Sequence, residues 1–219
     1  MTAGSARSRS TGNRRQLTAL LVGAVVLFAA GAAHAQPAAT AGANGMTVGG
    51  SVALASIWDD ETHLGNGVAL TAEVSTPLGP HLRLGAEGGW FWHSRNSGYM
   101  AASGNVMHLM GRADLYLAPR TWTVRPFVGA AVGIARTTGA LTLYTSGPRG
   151  ALVATTRVPW THMQTAWNLH VGTRVAASSR LAVRPEVSVG AIGTSDTAGA
   201  LELPLLRLQG GVAVEWALR

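Results

Sequence analysis

A histidine and a serine that follow each other in the sequence are the first residues to test for chemistry. His93 directly precedes Ser94, and His162 occurs in the second half of the chain. A serine becomes a nucleophile when a histidine within hydrogen-bond reach accepts its proton and a third group orients that histidine. No His-x-Ser pair lies on one face of a strand, so we expect no catalytic residues and interpret these side chains as polar groups at strand ends.

Metal binding is the second chemistry to consider. His162 and His170 share a strand face but lie eight residues apart, which is roughly 26 Å along a strand and too far for one ion. The run Asp59-Asp60-Glu61, with His63 nearby, has the oxygen ligands that Ca²⁺ prefers, but the remaining ligands are missing. We predict a solvated loop there, and neither a metal site nor a cofactor.

The elements that position these residues are strands, because apolar and polar residues alternate over most of the chain. Between residues 82 and 92, for example, leucine, alanine, glycine and tryptophan alternate with a second row that includes Arg83 and Glu87. We predict eight strands: 46–58, 67–75, 82–92, 105–117, 123–135, 161–176, 181–192 and 205–218.

The connections between these strands alternate in length. Those after strands one, three, five and seven have about 8, 12, 25 and 12 residues, and the others about 6, 5 and 4. Short turns on one side and longer loops on the other are typical of an antiparallel transmembrane up-and-down β-barrel. The longest predicted loop, residues 137–160, contains three residues that we expect to make surface contacts: Tyr144, Arg149 and Arg157.

Charged residues concentrate in the rows opposite the apolar ones. If the apolar rows face lipid, these charges point into the lumen, where eight strands leave just enough room for side chains to interlock. The predicted lumen network consists of Glu73, Arg83, Glu87, Arg112, Asp114, Arg125, Arg174, Arg184, Glu186, Arg207 and Glu215.

Tryptophans fall near the predicted strand ends, as expected for two aromatic girdles at the membrane interfaces. Trp167 lies deeper in its strand and fits this pattern less well. The predicted girdle consists of Trp58, Trp90, Trp92 and Trp160 at the outer ends and Trp122 and Trp216 at the other ends.

The first 35 residues predict export. Arg7, Arg9, Arg14 and Arg15 precede an uncharged apolar run that ends in Ala-His-Ala, so we expect signal peptidase to cleave before Gln36. Residues 36–45 then form a short periplasmic segment and residues 46–219 the barrel. The 13 remaining arginines against 10 acidic residues make nucleic-acid binding improbable. The absence of cysteine excludes a disulfide scaffold.

Three segments resemble a known family. The segment 125–133 has the pattern Pro-aromatic-x-Gly-x-x-x-Gly, and 169–174 and 181–186 add two further stretches. Together they resemble the small outer-membrane β-barrels of the OmpA/OmpX type, which form the outer-membrane protein β-barrel domain family. The resemblance implies an all-β, eight-stranded barrel in the outer membrane of a Gram-negative-type bacterium. It also implies contact with outer-membrane lipid and lipopolysaccharide, and with the outer-membrane assembly machinery during biogenesis.

We therefore expect a non-enzymatic role in envelope integrity or surface interaction, carried by the outer loops. Three other interpretations remain open: a lipid-modifying enzyme of the outer leaflet, a narrow pore, and a soluble exported barrel of the lipocalin kind. The last requires the apolar rows to face inward, whereas eleven charges lie in the rows opposite them.

Overall fold

The chain forms eight strands in a computed structural model that describes residues 45–59, 62–146, 152–193 and 205–218. No helix within these ranges is long and apolar enough to cross a membrane. The strands are β1 (Thr47–Asp59), β2 (Thr62–Leu78), β3 (Leu82–Asn96), β4 (Met100–Tyr116), β5 (Val124–Ser146), β6 (Leu152–Ala176), β7 (Leu181–Ile192) and β8 (Leu205–Ala217).

Each strand pairs antiparallel with its neighbours in sequence, and β8 pairs with β1, so the sheet closes into a barrel. The predicted eight-stranded all-β barrel is confirmed. Following paired positions once around the barrel from Gly172 on β6 leads back to His162 on the same strand, ten residues away. This stagger requires the strands to tilt strongly from the barrel axis.

The alternation of the sequence becomes an outward apolar face and a packed lumen. Leu109 and Val132 point outward with 61% and 67% of their surface exposed, whereas Phe91 and Phe127 point inward with none exposed. The glycines and alanines of β5 left its orientation open, and Val128, Val132 and Ile134 now mark its outward face. The outer surface is therefore a belt of exposed apolar side chains.

The β1–β2, β3–β4 and β5–β6 hairpins all extend beyond the predicted strand ends, and the β5–β6 hairpin differs most. Residues 137–160 were expected to be a loop, but β5 and β6 remain paired as far as Ser146 and Leu152. The loop prediction was wrong because the belt's apolar alternation ends near Ile134, while threonine and valine continue to favour extended backbone. Tyr144 and Arg157 accordingly lie in strands rather than in a loop.

The outer rim of the barrel is uneven. The pairing between β6 and β7 ends at Ala166 and Ile192. Gly193 then has a positive φ of 95° and donates its N–H to the Thr165 carbonyl at 2.8 Å. Further out, β6 pairs within the described ranges only with β5. The outer parts of β3 to β6 thus form a wall that stands above the ends of β7, β8 and β1.

Several predictions fall outside the described residues. These are the signal peptide 1–35, the segment 36–45 except its last residue, the side chain of Asp59, and the residues Asp60, Glu61 and Arg149.

Candidate functional site

A network of ion pairs fills one half of the lumen, and Arg184 lies at its centre with 1% of its surface exposed. Its Nη1 donates to Glu215 Oε1 at 2.6 Å and to Glu73 Oε1 at 2.7 Å, and its Nη2 also bonds to Glu73. Its Nε donates to Glu186 Oε2 at 3.1 Å. One guanidinium therefore holds carboxylates from three strands.

Arg112 forms the second centre of this network. Its Nε donates to Asp114 Oδ1 at 2.9 Å, and its Nη1 donates to Glu87 Oε2 at 3.1 Å. Its Nη2 lies 2.9 Å from Glu186 Oε2, so both arginine centres share Glu186. Arg83 and Arg174 complete the set through Glu215, at 2.7 and 2.8 Å.

Two further side chains, His170 and Asn168, connect these charges, although neither was predicted to belong to the network. His170 Nε2 lies 2.7 Å from Asp114 Oδ1, and its Nδ1 lies 3.0 Å from Asn168 Oδ1. Asn168 Nδ2 donates to Glu87 Oε1 at 3.3 Å. Their positions could have identified them as lumen residues, because both share the inward row of β6 with Arg174.

The structure brings nine of the eleven predicted lumen charges into one network and leaves two apart. Arg125 donates to the carbonyls of Ala118 and Pro80 and lies over the Tyr116 ring, with 4.1 Å from its Cζ to the ring centroid. Arg207 is 6% exposed, and no described carboxylate lies within salt-bridge distance. Its Nη1 is 3.5 Å from His108 Nδ1.

An apolar cluster packs in the outer half of the lumen, which also buries Arg207 and His108. Ile57 and Phe91 are fully buried and Val106 is 1% exposed, and Leu64 and Leu205 pack against the cluster from the rim. From the sequence, charge was the only role predicted for the inward rows. A signal was present on β1 and β4, where the inward positions within 53–57 and 102–106 are apolar or glycine.

The lumen is thus closed twice over the described residues, by salt bridges in one half and by apolar packing in the other. Removing water from a charge is costly unless the charge is paired, and an apolar plug excludes ions by denying them hydration. This arrangement disfavours a continuous aqueous path.

The residues considered for catalysis do not meet. His93 points into the lumen and is 6% exposed, stacking on Phe91 with 5.6 Å between ring centroids. Ser94 is exposed on the opposite face of the same strand, where it pairs with Asn66 and Ser103. His162 pairs with Thr137 on the projecting hairpin. No group of three potential metal-binding side chains exists among the residues with described positions.

Of the six tryptophans predicted for the girdle, all but Trp160 point outward near the strand ends, and Trp167 lies deeper in the belt, opposite Val132. Trp90 and Trp92 are exposed and stack on each other at 5.1 Å, and Trp122 and Trp216 are exposed at the opposite end. Trp58 is half-buried, with its ring centroid 5.4 Å from that of His63. Trp160 was assigned to the outer girdle, but it lies on the inward row of β6.

A Cβ built on Gly139 would come within 2.4 Å of the Trp160 ring. The absence of a side chain on Gly139 therefore lets Trp160 pack on the inner face of the projecting hairpin. The assignment to the girdle failed because it took residue 160 to be the end of a loop, whereas strand alternation continues through it.

Two of the predicted surface-contact residues, Tyr144 and Arg157, lie on the outward face of the β5–β6 hairpin. Arg157 is exposed and pairs with Thr142, the outward position before Tyr144. Arg136 is a further exposed arginine on this face, one that the sequence analysis did not select. Its outward position became recognisable only when the orientation of β5 was known.

Comparison with known proteins gives a family-model match and a set of similar folds. The model of the outer membrane protein beta-barrel domain matches residues 24–203. No curated protein matches the chain.

Among solved structures, Neisserial surface protein A has a TM-score of 0.55 at 10% identity, covering 79% of this chain and 97% of that one. Ail, the attachment invasion locus protein of Yersinia pestis, has 0.50 at 6%, covering 79% and 99%. The outer membrane protease OmpT of Escherichia coli has 0.42 at 8%, covering 80% and 97%. At such identities the likeness shows the fold alone.

Proposed function

Because the chain belongs to the outer membrane protein β-barrel domain family, which confirms the resemblance seen in its sequence and places it in the outer membrane of a Gram-negative-type bacterium, we propose that it is a non-enzymatic surface-interaction protein. Its working part is the outer end of the barrel, and above all the β5–β6 hairpin.

One observation carries this proposal: the lumen is filled, whereas the β5–β6 hairpin projects. Arg184 and Arg112 occupy one half of the interior, and Phe91 and its neighbours occupy the other. Beyond the outer rim, where the pairing of β6 with β7 has ended, β5 and β6 remain paired up to Ser146 and Leu152. The surface available for contact is therefore on the outward-reaching strands and not in the interior.

The chemistry of this hairpin fits molecules of the cell surface. Arg157 supplies a cation, and Tyr144 supplies an aromatic ring with a hydroxyl group. On the opposite face of the hairpin, Val153 and Val158 are 49% and 50% exposed, which adds a separate apolar contact area. We infer that the partners are lipopolysaccharide in the same leaflet or polymers at the surface, with Arg149 contributing to the same set.

The proposal includes two further partners, outer-membrane lipid and the outer-membrane assembly machinery. The exposed apolar belt, with side chains such as Leu54 at 74% exposure, contacts outer-membrane lipid. A chain exported unfolded must be closed into a barrel at that membrane, so we infer transient contact with the outer-membrane assembly machinery.

The test is to shorten the hairpin without disturbing the barrel. Replacing residues 140–159 by an Asn-Gly turn between Gly139 and Trp160 keeps the belt and removes Tyr144, Arg149 and Arg157. We expect the shortened protein to retain its heat-modifiable migration on gels but to lose binding to lipopolysaccharide-coated surfaces. We also expect cells that express it to lose resistance to bulky hydrophobic antibiotics. Unchanged binding and unchanged resistance would contradict the proposal.

The catalytic alternative has its own test. A triple variant with alanine at His93, Ser94 and His162 removes every residue considered for outer-leaflet lipid chemistry. We expect the composition of lipid A in cells that express it to match that of cells expressing the unaltered chain. A change in acylation that depends on these residues would favour an enzyme instead.

A further inference from the structure

Charge is distributed unequally between the inside and the outside of the barrel wall. Glu73, Glu87, Asp114, Glu186 and Glu215 all make ion pairs within the lumen. Among the side chains whose placement is described, the outward face of the strands carries no carboxylate, but it carries Arg136 and Arg157. Over the described side chains of this outward face, an anion therefore meets positive charge alone.

Arg136 lies where the apolar belt ends. It takes the next outward position after Ile134, which is 49% exposed. Its partners across the sheet are Met107 on β4 and Met163 on β6, and both are exposed apolar side chains. The guanidinium is therefore anchored at the level of the outermost apolar row.

The row above Arg136 is polar. Thr138 is the next outward residue of β5, and its hydroxyl donates to Asn105 Oδ1 on β4 at 2.9 Å. The change from methionines to threonine and asparagine within one step marks the boundary between hydrocarbon and headgroups. Arg136 lies at that boundary.

An open groove runs along the outer surface above this boundary. Trp92, 43% exposed, lines the β2–β3 side of the groove together with Asn66 and Ser94, and Arg157 lines its β6 side. Ser103, Asn105 and Thr138 lie between them. The groove thus offers hydroxyl and amide groups beside Arg157, with an aromatic side chain next to the apolar belt. Arg136 lies just outside this lining, at the outward position of β5 on the belt side of Thr138.

We propose that this groove, with Arg136 at its base, binds a phosphate group of lipopolysaccharide in the outer leaflet. The inference rests on the proposed surface role and names one partner for it. Arg136 holds the phosphate nearest the acyl chains, the methionines and Trp92 contact those chains, and Arg157 reaches the phosphorylated sugars further from the membrane.

Phosphate fits this position better than a carboxylate or a neutral sugar does. The guanidinium fork donates two parallel hydrogen bonds to a phosphate, and such charge-assisted bonds are about twice as strong as neutral ones. A cation at the edge of the hydrocarbon layer is costly unless a counter-ion is near. No described carboxylate pairs with Arg136, and in the proposed complex the phosphate acts as its counter-ion.

The test uses the full chain, folded in detergent, and three lipid probes: diphosphoryl lipid A, the same lipid after phosphatase treatment, and phosphatidylglycerol. Arg136→Gln removes the charge and keeps an amide donor. The matched control is Arg180→Gln, which makes the same change in the turn between β6 and β7 at the opposite end of the barrel. Binding of each probe is measured by native mass spectrometry.

We expect Arg136→Gln to weaken binding of diphosphoryl lipid A by about tenfold or more and to leave binding of the dephosphorylated lipid unchanged. Arg180→Gln should bind both lipids as the unaltered chain does. Equal loss in both variants, equal affinity of the unaltered chain for the dephosphorylated lipid, or preference for phosphatidylglycerol would overturn the site. If Arg136→Gln binds normally while the shortened hairpin does not, the groove is wrong and the proposed function stands.

Discussion

The guanidinium of Arg184 on β7 donates to both carboxylate oxygens of Glu73 on β2, with its Nη1 2.7 Å from Oε1. These residues are 111 positions apart in the sequence, and their strands are separated by β8 and β1. Both side chains are largely buried. The pair therefore connects two walls of the barrel through its interior.

Replacing Arg184 by methionine is expected to destabilise the barrel strongly. Glu73, Glu186 and Glu215 would each lose a partner in a site that admits little water, and breaking a buried pair costs about 3–5 kcal/mol. The measurement is the temperature at which the compact, unboiled form disappears from gels. Arg180→Met, outside the network, should leave this temperature unchanged, and an equal shift in the two variants would contradict the prediction.

Arg207→Met is expected to cost much less than Arg184→Met, although both remove a buried arginine. Arg207 has no described carboxylate within salt-bridge distance, and its guanidinium forms a hydrogen bond with His108. Removing a buried cation without a counter-ion also removes the cost of its desolvation. The same thermal assay checks this, and a loss as large as that of Arg184→Met would show that Arg207 has a strong anionic partner.

Opening the lumen is expected to require two substitutions. Phe91→Ser weakens the apolar cluster and Arg112→Ser weakens the ion-pair network, but each variant alone leaves the other barrier in place. In planar bilayers the single variants should remain closed and the double variant should conduct. Cations should be preferred, because removal of Arg112 leaves three arginines against five carboxylates within the ion-pair network. Steady conductance by the unaltered protein would contradict the two-barrier interpretation.

An arginine introduced into the apolar belt is expected to be costly, whereas one above it is not. Val132 is outward and 67% exposed within the belt, and a charge near the bilayer midplane costs about 2–4 kcal/mol against about 0–1 near the interface. Thr161 is exposed and outward on the projecting part of β6. Refolding into liposomes with denaturant titration should separate Val132→Arg from Thr161→Arg, and equal stability would place the belt elsewhere.

The mature protein is expected to begin at Gln36. The apolar run followed by Ala33-His34-Ala35 fits the cleavage preference of signal peptidase. Intact-mass measurement of protein extracted from outer-membrane fractions checks this prediction. Replacing Ala35 by a bulky residue should leave a longer chain associated with the inner membrane, and unchanged processing would move the cleavage site.

The sequence was sufficient for the strand number and for the inward direction of the charged rows, because both depend on a period of two. Glu73 and Arg184 could each be assigned to the lumen on that basis. Their pairing could not, because it depends on the stagger of the strands around the closed sheet, which alternation alone does not determine.

The outer half of the barrel was predicted less well. Loop and strand were not distinguished beyond Ile134, because residues that project from the belt have no apolar side to mark the alternation. For the same reason Trp160 was assigned to the wrong face and Arg136 was not selected. The apolar cluster around Phe91 was missed because inward rows were assumed to be charged along their whole length.

The pairing of β1 with β8 has a consequence for the order of assembly. Thr47 on β1 pairs with Ala217 on β8. Because contacts with so large a sequence separation form late in folding, this pairing requires β8 to be in place. Until then both end strands expose unpaired backbone. Glu215 lies on β8 as well, so its ion pairs form only when that strand is in place. These are the pairs with Arg83, Arg174 and Arg184. Neutralisation of the interior and closure of the ring are therefore a single event, and a chain truncated before β8 fails at both.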